Sequence, residues 1–186
     1  MATRRLFFAL WPDDAVREAL RRETRHAVRR SGGRPVPVAN LHLTLRFLGN
    51  VAAERVEAVF AVAAGITGIA ATSLQLDRYG WFPQARVFWL GTDTVPAPLA
   101  ALAGRLEAGL VAAGFEPEPR PFQAHVTLAR KVARAPAVEP PHPVTWPVYD
   151  FALIESHTAR RGACYEVVGR WPLAGAPAVA RESDTV

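Results

Sequence analysis

Hydrophobic and polar positions along the chain follow two periods, and the switches between them mark out the elements. Leu6-Phe7-Phe8-Ala9-Leu10-Trp11 is apolar at consecutive positions, the pattern of a central strand covered on both faces. Pro12 and Asp13 or Asp14 then open a helix with a narrow apolar stripe of Val16, Leu20, Ala27 and Val28. Arginines cover the rest of that helix, His26 is expected among them in solvent, and Ser31-Gly32-Gly33 ends it. Residues 35–40 predict an extended approach to a strand over 41–48, closed by Gly49-Asn50. A second helix is expected over 52–64, with Val56, Val59, Phe60 and Ala63 on one face. Residues 74–79 alternate as a half-exposed strand, 80–84 make a turn, and 86–90 return, so the pair reads as a hairpin. Leu99, Leu102, Leu106, Leu110 and Val111 mark a third helix over 97–113, stopped by Gly114. A Pro-rich stretch, 116–121, leads into a strand over 122–129. Residues 134–147 predict a surface loop, because their prolines argue against a helix or a central strand. Strands follow at 148–156 and 163–170, joined by a turn at Arg160-Arg161-Gly162.

Two of these strands carry almost the same tetrapeptide. His42-Leu43-Thr44-Leu45 and His125-Val126-Thr127-Leu128 differ only at the second position, and both follow Pro-rich approaches. Each half of the chain also interleaves strands with one or two helices. The expected fold is therefore α+β and bilobal, with pseudo-twofold symmetry and two mainly antiparallel sheets flanked by helices. Each lobe gives one His-x-Thr-x strand to a central cleft. Residues 1–173 form a single bilobal domain in this reading, and 174–186, rich in Ala, Gly and polar residues, form a flexible tail.

Composition narrows the setting. Half of the 186 residues are hydrophobic, enough for a substantial core, yet no apolar run could span a bilayer. Trp11-Pro12-Asp13-Asp14 ends the first apolar run too early for a signal peptide. Cys164 is the only cysteine, so no intramolecular disulfide exists. A cytoplasmic monomer is expected. The net charge of +5, almost all arginine with Lys131 the only lysine, favours an anionic partner. An Ala- and Arg-rich composition accounts for most of that bias, so charge alone is weak support for nucleic acid.

The repeated motif carries the chemistry. In a strand, His and Thr two apart share one face and the apolar residues between them share the other. Two such strands side by side present two imidazoles and two hydroxyls to one groove. With an ordinary pKa near ~6.5, one imidazole can be base while the other is acid. In-line displacement at a phosphodiester needs those two jobs on opposite sides of phosphorus, and the Thr44 and Thr127 hydroxyls can donate to the equatorial oxygens. No metal is needed, because both proton transfers are already assigned. No carboxylate lies in either motif strand, and no His-x-x-x-His, Cys-x-x-Cys, Gly-x-Ser-x-Gly or phosphate-binding glycine loop occurs. Cys164 reads as a small buried residue and His157 as a loop residue.

Longer stretches make the likeness specific. Residues 40–49 (Asn-Leu-His-Leu-Thr-Leu-Arg-Phe-Leu-Gly), 86–91 (Arg-Val-Phe-Trp-Leu-Gly) and 120–130 resemble the two-histidine phosphoesterase superfamily. Within it they resemble the RNA 2′,3′-cyclic phosphodiesterases, historically called 2′-5′ RNA ligases. Residues 5–9 and the stretch from Glu155 to Tyr165 also fit, so the resemblance runs to about Leu173. It implies hydrolysis of an RNA 2′,3′-cyclic phosphate end to a 2′-phosphate, with no cofactor and no metal, and possible reversal as 2′-5′ ligation of tRNA halves. It implies His42 as proton donor to the leaving 3′-oxygen, His125 as the base that activates water, Thr44 and Thr127 as phosphate-holding residues, and Arg130 near the cleft mouth. Ala124 stands where the family often has Pro, which removes no catalytic group. Two alternatives stay open: a phosphodiesterase of a small cyclic nucleotide or ADP-ribose cyclic phosphate, and a non-catalytic RNA-end binding protein. Phe8 and Phe47 are aromatic residues that could either stack on a terminal base or belong to the core.

Overall fold

The computed structural model describes residues 2–159 and 162–177. Strand β1 (Thr3–Leu10) leads to helix α1 (Asp14–Arg30). Asp13 caps the helix by accepting from the Val16 N–H at 2.8 Å, and Arg29 and Arg30 lie in the last turn, where the helix dipole favours cations. The short β2 (Arg34–Pro35) precedes β3 (Leu43–Ala52), α2 (Val56–Ala64), β4 (Thr72–Leu76), β5 (Arg78–Phe82), β6 (Val87–Gly91) and α3 (Ala97–Ala112). Then come β7 (His125–Arg130), β8 (Val144–Val148), β9 (Asp150–Ala159) and β10 (Gly162–Pro172).

The fold is α+β with two antiparallel sheets. The large one runs β10-β9-β1-β3-β7-β6-β5, with β2 added on β7, and the small one is β4-β8. In the large sheet, β3 and β7 meet at a single register pair, Leu43 opposite Val126. That pair divides it into two half-sheets, and the same irregularity recurs in both. Thr44 opposes Ala9 and Arg46 opposes Phe8, so Leu45 is bulged. Thr127 opposes Trp89 and Ala129 opposes Phe88, so Leu128 is bulged. The pseudo-twofold relation thus extends from the tetrapeptides to their backbone.

One face of the large sheet carries the main core. Leu6, Phe8, Leu43, Phe88, Leu90 and Val126 pack there with Leu20 of α1, Leu102 and Leu106 of α3, and Leu74 and Trp146 of the small sheet. Each fully buried leucine contributes roughly 1.5–3 kcal/mol. The opposite face carries a smaller apolar patch of Phe7, Ala9, Ala152 and Ile154, flanked by Trp11, Tyr165 and Val167.

Several expectations need correction. Gly49 does not close the first motif strand: Leu48 is bulged before it, Gly49 pairs with Leu6 at φ +70°, and β3 continues to Ala52. The expected strand over 74–79 is two strands in two sheets. The chain leaves the small sheet at Asp77, and the hairpin is β5–β6, turning at residues 83–86. Part of the expected loop over 134–147 is β8, which tolerates Pro147 because the two-stranded sheet consists only of edges. Ala174, placed in the tail, is tied down: its N–H donates to Ile69 O at 2.7 Å, and its carbonyl accepts from Ala71 at 2.8 Å. The rest of that tail from 178 onward lies outside the described residues, as does the Arg160-Arg161 turn.

Candidate active site

The single Leu43–Val126 pair organises the site. Both side chains are fully buried on the core face. Continuing the antiparallel register one step each way sets His42 against Thr127 and Thr44 against His125, all four on the other face. The two imidazoles stand diagonally across the junction, each opposite the hydroxyl of the other motif.

Both rings are held by the same device. His42 Nδ1 lies 2.7 Å from the Asn40 carbonyl, and His125 Nδ1 lies 2.8 Å from the Gln123 carbonyl. A carbonyl only accepts, so each Nδ1 carries the hydrogen, and the Nε2 lone pair is left for chemistry. Aromatic walls fix the planes. Trp11 stacks on His42 at 5.8 Å between centroids, Phe7 lies at 4.9 Å, and Tyr165 meets its ring edge-on at 5.3 Å. On the other side Phe82 stands edge-on to His125 at 5.2 Å, with Trp89 at 5.9 Å. Gly80 makes room for that tryptophan: a Cβ at position 80 would sit 1.9 Å from the indole.

The surroundings favour neutral imidazoles. Burial pushes His42 down to about 4; the Asn40 carbonyl opposes the shift, and the charges of Arg130 and His125 add to it. Burial also lowers His125, with the Gln123 carbonyl opposing and Arg120 and Arg130 assisting. At neutral pH the cleft therefore offers two unprotonated Nε2 atoms. An anion placed between them favours the charged form and so restores a proton to one.

Arg130 reaches this face through the bulge. It lies five residues past His125, an odd spacing that would put it on the core face of a regular strand, but skipping Leu128 restores the parity. A pocket of about 250 Å³ joins His42, Thr127, Arg130 and Tyr165. Thr44 and His125 lie across the junction, outside its walls. Of the two stacking candidates, Phe8 is fully buried, and Phe47 is exposed beneath Arg5, at 4.9 Å from the ring. The walls Trp11, Phe82, Trp89 and Tyr165 were not singled out from the sequence. Trp11, Trp89 and Tyr165 belong to strand patterns that also fit a core, Phe82 falls in the expected turn over 80–84, and only the alternation relative to the motif strands distinguishes them.

The remaining histidines are elsewhere. His26 is exposed as expected, and His142 donates its backbone N–H to Glu23 at 2.7 Å. His157 is in β9 rather than a loop, and Cys164, opposite it on β10, is exposed rather than buried. Glu155, His157 and Glu166 cluster on that hairpin, but Glu155 is already neutralised by Arg4, whose Nε lies 2.9 Å away.

The LigT-like phosphoesterase family model matches residues 10–89 and 90–165, each segment holding one motif. The chain is 36% identical over 170 residues to the RNA 2′,3′-cyclic phosphodiesterase of Escherichia coli K12, spanning 91% of this chain and 96% of that protein. It is 33% identical over 182 residues to the Thermus thermophilus protein of the same name, spanning 92% and 91%. The apo crystal structure of E. coli LigT superposes with a TM-score of 0.85 at 35% identity, covering 93% of this chain and 99% of that one.

Proposed function

The chain belongs to the LigT-like phosphoesterase family, and on that premise we propose that it opens the 2′,3′-cyclic phosphate at an RNA 3′ end to a 2′-phosphate, without a metal ion. One observation carries the reading: two imidazoles with matched Nδ1 anchors face one groove diagonally across the Leu43–Val126 pair. That is the placement in-line displacement demands. His125 Nε2 takes a proton from water as the water oxygen bonds to phosphorus. The bond from phosphorus to the 3′-oxygen breaks on the far side, and that oxygen receives its proton from His42 Nε2. Thr44 and Thr127 donate to the non-bridging oxygens as their charge grows, and Arg130 draws the anion in. Burial of His42 disfavours its charged form in the free protein, and the bound phosphate supplies the opposite charge that offsets this when the ring carries the donated proton. With a ribose 5′-hydroxyl attacking in place of water, the same displacement expels the 3′-oxygen and forms a 2′-5′ linkage.

E. coli LigT has been crystallised in complex with 3′-AMP and with phosphate, which supports a nucleotide phosphate as the kind of ligand taken here. The reading extends to a single bilobal domain over 1–173, acting as a monomer in the cytoplasm. Among the described residues no helix is long and apolar enough to cross a membrane.

The test is a short RNA ending in a 2′,3′-cyclic phosphate, incubated with the protein and excess chelator. Mass spectrometry should show addition of water, and the product should resist a 3′-specific phosphatase. His42→Ala and His125→Ala should each abolish it. Chelator-sensitive turnover would overturn the metal-free mechanism, and tight binding without turnover would make the protein an end-binding module.

A further inference from the structure

Beyond the scissile phosphate, the pocket carries more positive charge than a cyclic phosphate can neutralise. Arg34, Arg130 and Lys131 all line it, and no acidic residue does. Among the described residues none of the three has a carboxylate within salt-bridge distance, whereas Arg4, Arg46, Arg78, Arg120 and Arg170 all do.

The backbone goes out of its way to assemble them. Arg34 stands directly opposite Arg130 in the β2–β7 pairing, an arrangement that like charges disfavour. It is reached because residue 33 is glycine: a Cβ there would lie 2.7 Å from the Arg130 carbonyl and 2.5 Å from Val132. Consecutive strand residues point to opposite faces, so Arg130 and Lys131 could not share a pocket in regular β structure. Lys131 has φ +60°, a left-handed conformation that costs a non-glycine residue energy, and this turn brings its side chain round to the same pocket. Val132 N–H then donates to the Arg86 carbonyl at 2.9 Å, and Arg86 is itself left-handed at φ +53°.

We propose that Arg34 and Lys131, beside Arg130, form a second anion subsite for the phosphate on the 5′ side of the ribose that bears the cyclic phosphate. The proposal rests on the phosphodiesterase reading. A cyclic phosphate carries one negative charge, and all further phosphates of an RNA lie on the 5′ side of its 3′-terminal ribose. A pocket of about 250 Å³ is below the roughly 300–1,000 Å³ of sites that enclose a whole ligand. It therefore grips the phosphates and leaves the bases outside, making the protein selective for the length and charge of the RNA end and indifferent to its sequence.

Three substrates test this: adenosine 2′,3′-cyclic phosphate, the dinucleotide ApA with a 2′,3′-cyclic phosphate, and the same dinucleotide with a neutral methylphosphonate linkage. The third keeps the second nucleoside and removes only its linking charge. kcat/KM for the natural dinucleotide should exceed that of the methylphosphonate by about tenfold, the worth of one charge-assisted hydrogen bond. Arg34→Ala and Lys131→Asn should each shrink that ratio toward one, chiefly through KM; asparagine is chosen because it tolerates the left-handed backbone. Equal kcat/KM for the two dinucleotides, or a ratio unchanged in both variants, overturns the subsite. A preference for either dinucleotide over the mononucleotide that ignores linkage charge assigns the length effect to base stacking instead and overturns it too. Failure to turn over any of the three overturns the phosphodiesterase reading, and the subsite with it.

Discussion

Enclosing His42 has a thermodynamic consequence that can be measured without any substrate. The unfolded chain protonates this imidazole near 6.5, and the folded one only near about 4. Between those values the unfolded state binds a proton that the native state excludes, so stability falls as the pH falls through that window. One such proton gives a slope of at most about 1.4 kcal/mol per pH unit, which over the window amounts to about 3 kcal/mol. Against a typical total of roughly 5–15 kcal/mol this is a large share. Carboxylates held low by arginine partners, Glu155 by Arg4 and Glu118 by Arg120, also lose stability on acidification, so the wild type alone does not isolate the effect. His42→Gln does, because it keeps an amide donor for the Asn40 carbonyl and removes the titration. Urea unfolding followed by tryptophan fluorescence, at about pH 7 and about pH 4, gives both free energies. The wild type should lose about 2–3 kcal/mol more than the variant on acidification. Equal losses would refute the claim that burial keeps this imidazole neutral.

Three further outcomes follow from the same geometry. Because both histidines are lowered from 6.5, the singly protonated free protein is most abundant on the acid side of that value. The pH profile of kcat/KM should therefore be a bell centred below 6.5, with kcat centred higher because bound phosphate raises both groups; coincident profiles would contradict this. Thr127→Val keeps the shape and removes the donor, so kcat should fall by roughly 10²–10³ with the thermal midpoint within a few degrees of wild type, as steady-state rates and calorimetry would show. Gly80→Ala forces a methyl into the Trp89 indole and should cost about 1–3 kcal/mol in denaturant titrations while lowering kcat through the displaced His125 wall.

The motif strands were legible because a period of two is a property of the backbone, and a core on one face makes the register unforgiving. From His42 and Thr44 alone, the alternation correctly separates the chemical face from Leu43 and Leu45. Arg130 is different. Counting by twos from His125 sends it to the core face, and nothing about Leu128 announces that it will be skipped; the assignment came from family resemblance, and the bulge supplies its physical cause. The split at Asp77 was hidden for a related reason. Leu74 and Leu76 set the alternation and Tyr79, three residues on, falls out of phase, because the chain has passed from one sheet to the other while keeping an extended conformation. Pro147 misled in the opposite direction, since a rule about central strands does not bind a ribbon made only of edges. The strand pair expected over 148–156 and 163–170 is present, but β9 continues through His157, and Cys164 opposite it is exposed.

The order of strands in the large sheet also bears on how the protein comes into being. Its halves are interlaced along the chain: β1 lies between β3 and the late-arriving β9, while the early β2 waits for β7. Tyr165, which completes the enclosure of His42, emerges from a ribosome more than a hundred residues after the histidine it covers. A nascent chain that has made the first motif holds an unfinished half-sheet with Phe7 and Ala9 bare on one face, and Arg34 has no strand to pair with. Neither half of the duplicated unit can be cut free at the midpoint and keep its own sheet. The candidate groove is therefore complete only once β9 and β10 have joined the sheet, and a chain cut at its midpoint carries the first histidine motif without Tyr165 or the second motif.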